Sequence, residues 1–270
     1  MKRLPVLFLF LLSAALVWAV QNCPACNFRI KSDAISCPKC LRLLKWPHAP
    51  ARTIQAKVVV RTGKDAFIRH PRSQNRAWKS NRNAGADQTG QIGSWGFLTG
   101  LRYLICFDIE RAFSDANVDL NTFRLKRARL RLVVADRQIN QQVPIRVYPL
   151  DRPFQEGSGR FHVRSKEPDG CTWEECAPMI SWHVSGGDYS ETPSAEGVLG
   201  LRQQRETIID VTSIFLARFA QFQKSGVWND PGLIIMRDPL RHCDCTFLNI
   251  YSLENSFRGQ QVLSPQLFLE

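Results

Sequence analysis

Two cysteine pairs near the N-terminus, Cys23-Pro-Ala-Cys26 and Cys37-Pro-Lys-Cys40, have the spacing that most directly implies chemistry. Each C-x2-C places two thiolates on one tight turn, and two such turns facing each other make a tetrahedral S4 cage for zinc. The cage is closed and leaves no open ligand position, so the expected role is structural or docking. Two disulfides are the competing outcome, because an oxidising compartment favours them. A segment this short has no core of its own, so bound metal would supply most of its folding energy. The flanking Asn27–Ile30 and Leu41–Leu44 can form short strands that cover the site.

A second pattern is ionic. Arg127, Arg129 and Arg131 alternate with Ala128, Leu130 and Leu132. Period two puts the guanidinium groups on one face of a strand, with rungs roughly 6.6 Å apart, and the apolar residues on the other. Guanidinium pairs bidentately with carboxylate, which suits a polyuronate or sulfated chain lying across a sheet. The plainer alternative is a solvated outer face. Among the aromatics near loops, Trp95 and Trp228 are the candidates for exposed rings that stack on sugars, while Trp182 reads as packing.

Four more cysteines, Cys171, Cys176, Cys243 and Cys245, lie in loops flanking strands. Loop disulfides are the preferred reading in an exported chain, with a second metal site involving His242 as the rival. Cys106 reads as a small buried hydrophobe. No H-E-x-x-H, no G-x-S-x-G and no readable calcium-binding motif occurs. Glu156, Glu174, Glu175, Asp188 and Asp210 offer carboxylates for glycoside hydrolysis. Tyr148, Tyr189, His162 and His183 offer bases for a lyase, but spacing joins none of them into a site.

The compartment follows from the first twenty residues. Lys2 and Arg3 precede an uncharged run from Leu4 to Val20, and Val17 and Ala19 fit positions −3 and −1 of a cleavage site. This is a secretory signal over residues 1–19. Contact with a membrane is expected only if that segment stays uncleaved. The net charge of +12 favours polyanionic partners. Outside the cytoplasm these are acidic glycans or envelope surfaces, and nucleic acid is not expected. Composition, with 44% apolar and 22% charged residues, is that of a globular protein and argues against disorder or a polytopic membrane protein.

The elements that must position these residues are mostly strands. Residues 22–46 hold the cysteine pairs, and Trp46-Pro-His-Ala-Pro marks a linker at 47–53. From residue 54 the chain alternates β-rich runs with polar loops. Expected strands are Gln55–Val60, Asp65–Arg69, Arg102–Asp108, Arg127–Val134, Val143–Tyr148, Glu206–Asp210, Gly232–Met236, Thr246–Ser252 and Pro265–Leu269. Pro71–Gly96 reads as one long loop. A single helix is expected after Asp210 or Thr212, with Phe215, Phe219 and Phe222 on one face and Gly226 as its stop.

The order of several short segments carries a resemblance. Asp65-Ala-Phe-Ile68 is followed by Leu104-Ile-Cys-Phe-Asp108, Ala128-Arg-Leu-Arg-Leu132, Tyr148-Pro-Leu150, Glu156-Gly157 and Ser181-Trp182. Gly186-Gly-Asp-Tyr189, Asp210-Val-Thr212, Asn229-Asp-Pro-Gly-Leu233, Tyr251-Ser-Leu-Glu254 and Pro265-Gln-Leu267 complete it. Over 54–270 the chain resembles the DNRLRE-type domain, also called carbohydrate-binding module family 96, and over 22–46 it resembles a zinc ribbon. The resemblance implies an all-β jelly-roll β-sandwich with one short helix, and alginate binding for some family members. The resulting expectation is an exported, non-catalytic carbohydrate-binding module for an acidic polysaccharide, carrying a structural zinc and a possible protein-docking face at the ribbon. The alternatives are a structural envelope module without a sugar ligand and a polysaccharide lyase or hydrolase.

Overall fold

The structure is a computed structural model. It describes residues 58–70, 83–94, 100–136, 139, 141–160, 169–238, 247–254 and 263–270, and the backbone of 20–22 and 29–31. The chain divides into two compact units, Met1–Ile54 and Gln55–Glu270. In the first, β1 (Val20–Asn22) and β2 (Arg29–Lys31) pair antiparallel with Gln21 opposite Ile30. Cys23, Cys26, Cys37 and Cys40 lie outside the described residues, as do 1–19 and the linker at 47–53.

The second unit is all-β with two helices. Its elements in chain order are β3 (Val58–Arg69), β4 (Thr89–Ser94), β5 (Gly100–Phe107), α1 (Ile109–Asp115), β6 (Ala128–Val133) and β7 (Val143–Pro149). Then come β8 (Glu175–Ala177), β9 (Ile180–Ser181), β10 (Ala195–Leu199), β11 (Glu206–Asp210), α2 (Thr212–Ser225), β12 (Leu233–Arg237), β13 (Phe247–Tyr251) and β14 (Gln266–Leu269). A 10-stranded sheet runs β10-β7-β12-β5-β3-β14-β6-β11, with β4 joined to β5 and β13 joined to β4. A bridge between Val134 and Ile250 brings the far part of this sheet back to β13, so the sheet is nearly closed.

Strand β3 is the pivot. Val58–Arg61 pair with β14, whereas Thr62–Arg69 pair with β5, and the register shifts between Thr62 and Lys64. A bulge bends a strand and increases its twist, which lets one strand serve two parts of the sheet. The two separate strands expected at 55–60 and 65–69 are therefore one strand, because Thr62-Gly63-Lys64 is a bulge and not a turn.

Register decides which residues are inside. Val60, Leu267, Leu130 and Ile209 lie side by side across β3, β14, β6 and β11, each at most 1% exposed. They share a core with Ile92, Tyr103, Ile105, Ile145, Val147, Leu233 and Ile235 from the rest of the sheet. A second cluster covers Ala66, Ile68, Leu104, Ile234 and Met236, on the opposite face of β3, β5 and β12. It is built by Phe154, Cys171, Trp173, Cys176 and Trp182, so the long excursion between β7 and β10 is itself packed.

Helix α2 follows the expected stripe. Phe215, Phe219 and Phe222 are buried, the Asp210 carboxylate accepts the Thr212 amide, and Gly226 closes the helix at φ 71°. The expectation of one helix is corrected by α1, two turns long and capped by Asp108, with Ile109 and Phe113 buried at i and i+4. The expected loop at 71–96 contains β4. Its Gly90 and Gly93 hid the strand, yet Gly90 is required there: a Cβ at this position would collide with the Tyr103 ring. No helix among the described residues is long and apolar enough to cross a membrane.

Candidate functional site

The arginine ladder lies on the outward parity of β6, as its spacing predicts. Two outward rows cross four strands: Val59–Phe268–Arg129–Asp210 and Arg61–Gln266–Arg131–Ile208. Val59 and Ile208 are 46% and 40% exposed, so this face is open to solvent. The guanidinium groups are already engaged. Arg127 lies 3.5 Å from the Asp210 carboxylate, Arg129 pairs with Glu270, and Arg131 donates to Glu206 at 2.9 Å and to Gln266 at 3.0 Å. Arg131 is largely buried by these partners, whereas Arg127 is half-exposed. The sheet thus supplies its own carboxylates at the positions where an acidic ligand would place its own.

The aromatic candidates separate. Trp228 is half-buried, its ring meets Phe219 edge-on at 4.9 Å and Phe222 at 5.9 Å, and its indole Nε1 is enclosed. The expectation of a solvent-facing ring is not met there, because the aromatic stripe of α2 captures it. Trp95 lies outside the described residues. Trp173 and Trp182 belong to the second core, and Arg102 lies over the Trp173 ring at 4.7 Å. Cys171 and Cys176 are buried free thiols, so the preferred disulfide reading is corrected for these two; Cys243, Cys245 and His242 lie outside the described residues.

Other candidate carboxylates have local tasks. Asp188 accepts the His183 and Val184 amides at 3.0 and 2.9 Å and pairs with Arg152, fixing a turn. Asp210 caps α2.

A different group is assembled by the fold. Asp65 on β3, Glu156 after β7 and Glu254 after β13 bring carboxylate oxygens within 4.8 Å of one another. Asp65 has the inward parity of Phe67 and is 1% exposed. Its amide donates to Glu156 Oε1 at 2.6 Å, and its own Oδ2 accepts the Leu253 amide at 2.7 Å. Asn83 pins the Glu156 segment. Its Nδ2 donates to the Glu156 and Cys171 carbonyls, and its Oδ1 accepts the Gly85 and Gly159 amides. Gly157, at φ 76°, and Gly170 allow the close approach, since a Cβ on either would strike this knot.

The electrostatics are those of crowded like charges. Burial, reinforced by Glu254, pushes the Asp65 carboxyl well above the ordinary range. Burial, with Glu156 and Asp87 adding to it, pushes Glu254 up to about 7. Burial also raises Glu156, which Lys64 partly opposes. The Tyr103 phenol is fully buried beside Asp65, and burial, with all three carboxylates adding to it, pushes it well above its ordinary value. An all-oxygen donor set of this kind suits hard divalent cations rather than zinc or copper. Of the three, only Glu156 stands among the candidate carboxylates of the sequence, whereas Asp65 and Glu254 lie in segments that carry the resemblance. The available signal was Asp65, an acidic residue at an inward position of a strand, where carboxylates are rarely left without a purpose.

No protein-family model matches the chain, and no curated protein is significantly similar to it.

Proposed function

We propose that the chain is an exported, non-catalytic carbohydrate-binding protein that takes an acidic polysaccharide on the outward face of β3, β14, β6 and β11. In this reading residues 54–270 form a jelly-roll module of the DNRLRE type, 22–46 form a zinc ribbon on Cys23, Cys26, Cys37 and Cys40, and 1–19 are a secretory signal. The observation that carries the binding site is the pair of outward rows. They join arginines at ladder spacing with exposed Val59 and half-buried Phe268, an apolar floor beside cationic rungs. An extended sugar chain needs both, since rings stack on apolar surface while carboxylates pair with guanidinium groups.

The internal ion pairs are compatible with this role. Exposed pairs such as Arg127–Asp210 contribute only about 0–1 kcal/mol, so a ligand carboxylate can replace Asp210 at little cost. Arg129 and Arg131 are held more tightly by Glu270 and Glu206, so Arg127 is the rung that exchanges partners first. Affinity electrophoresis in a polyuronate gel, together with an assay for new unsaturated or reducing ends, tests the proposal. Retardation at low salt without turnover is expected. Free migration would favour a structural envelope module, and turnover would favour a lyase or hydrolase; either overturns the reading.

A further inference from the structure

We infer that Arg102, with the Tyr189 and Trp173 rings and the Tyr148 phenol, forms a binding site for a single hexuronate ring, the guanidinium taking its carboxylate. The site stands on β5, apart from the arginine ladder of β6, and does not require that the ladder bind anything. Arg102 shares the parity of Leu104 and so stands beside the second core, where it and Tyr189 both keep part of their surface in solvent.

The observation that points to an anion is an unmatched cation. Arg102 makes one hydrogen bond, from Nη1 to the Gly186 carbonyl at 2.6 Å, and no ion pair among the described residues. Arg131, Arg146 and Arg218 are also largely withdrawn from water, and each meets a carboxylate. Around Arg102 stand rings instead. Its guanidinium carbon lies 4.7 Å from the Trp173 ring centroid and 5.7 Å from that of Tyr189. Burial pulls the guanidinium below its ordinary range, and only the Tyr189 and Tyr148 phenols oppose that. Ring faces attract a cation but carry no counter-charge. The N–H donors of a guanidinium form a planar fork that matches a carboxylate, and Gly186 occupies one of them here.

The group is held in place before any ligand arrives. The Gly186 amide donates to the Trp173 carbonyl at 2.6 Å, and Asp188 fixes the same turn through the His183 and Val184 amides. Gly186 has φ 97°, and a Cβ there would fall 2.7 Å from both Arg102 Nη1 and Trp173 Cζ2. Glycine is what lets the backbone carbonyl reach the guanidinium. The Tyr148 ring packs 4.9 Å from Tyr189, which orients the half-buried Tyr189 ring beside the charge. A hexuronate uses every part of this set. Its carboxylate suits the remaining donors of the fork, its apolar ring face suits Tyr189, and its hydroxyls suit the phenols. A small inorganic anion would use only the first.

The test is ligand-observed saturation-transfer NMR on the full chain. The probes are methyl glucuronide and its neutral counterpart, methyl glucoside, at equal ionic strength. Methyl glucuronide should receive saturation with a dissociation constant of about 1–10 mM. Methyl glucoside should bind at least roughly fivefold more weakly. Arg102→Lys keeps the charge but not the fork, and should weaken binding of methyl glucuronide at least roughly fivefold. Tyr189→Leu, which removes the exposed ring, repeats the test should that variant not fold. R127S/R129S/R131S should bind the monosaccharide as wild type does, which separates this site from the ladder. Absence of saturation transfer to methyl glucuronide with wild type would overturn the inference. So would equal binding of methyl glucoside, undiminished binding by the folded Arg102 or Tyr189 variant, or loss of binding in the folded triple variant.

Discussion

The Arg218 guanidinium on α2 and the Asp230 carboxylate before β12 form an ion pair almost wholly removed from water, with side chains 7% and 3% exposed. The pair also organises backbone. Arg218 donates to the Gly232 carbonyl, and Asp230 accepts the Gly232 amide at 2.9 Å, which anchors the helix to the strand that follows. Burial raises the Asp230 carboxyl, and Arg218 opposes that rise. Arg218→Met keeps the stem but leaves Asp230 buried without its partner. Loss of about 3–5 kcal/mol in urea unfolding is expected. A loss below about 1 kcal/mol would show that water reaches the site and that the pair does not hold α2 in place.

The aromatic stripe makes a separate prediction. Trp228 closes a cluster with Phe219 and Phe222, which continues to Phe113 and Phe123. Trp228→Ala should therefore lower stability by about 2 kcal/mol, since the ring is only half-buried. Retardation in a polyuronate gel should not change, and a loss of retardation at unchanged stability would return this ring to the ligand site.

Thiol reactivity distinguishes two kinds of cysteine. Burial, with Asp230 adding to it, pushes the Cys106 thiol up to about 11, and burial raises Cys171 further. Native protein treated with iodoacetamide near neutral pH should leave both unmodified. If the proposed ribbon holds zinc, Cys23, Cys26, Cys37 and Cys40 should become reactive only after chelation, with one zinc released per chain. Mass spectrometry of the peptides reads every site. The pH dependence has a definite sign. The unfolded Cys106 thiol ionises near ~8.5 while the folded one keeps its proton. Its contribution to stability is complete below that pH and is lost as pH rises toward 11, and Cys106→Ala should flatten that fall.

The carboxylates facing the ladder predict a gain. Asp210→Asn keeps an acceptor for the Thr212 amide but removes the charge that holds Arg127, and Glu206→Gln weakens the hold on Arg131. If a polyuronate competes with these groups, the double variant should bind about 2–5-fold more tightly at low salt. The gain should shrink as salt rises, because the exposed part of the interaction is screened. Equal or weaker binding would mean that the ligand does not displace them.

How much was legible in sequence depended on whether the signal was local. Alternation across 127–134 located β6 and the parity of its arginines, since period two is a property of the strand itself. Helix α2 was readable from its phenylalanine spacing and the stop at Gly226. Strand β4 was obscured by Gly90, whose reason lies in the Tyr103 ring of another strand. The engagement of Arg129 by Glu270 depends on β14 pairing beside β6, which no nearby residue announces. The grouping of Asp65 with Glu156 and Glu254 depends on three long-range placements, and spacing contained none of them. What the chain encoded locally was readable; what register and tertiary closure created was not.

The central claim is that the outward arginine face binds an acidic sugar chain. Calorimetric titration of the full chain with an oligouronate and with its carboxyl-reduced, neutral counterpart tests it most directly, with R127S/R129S/R131S alongside and its fold verified by circular dichroism. The account predicts heat of binding for wild type with the charged oligosaccharide alone, and at least a roughly tenfold loss, about 1.4 kcal/mol, in the folded triple variant. Equal binding of the neutral sugar, or undiminished binding by the variant, would contradict it.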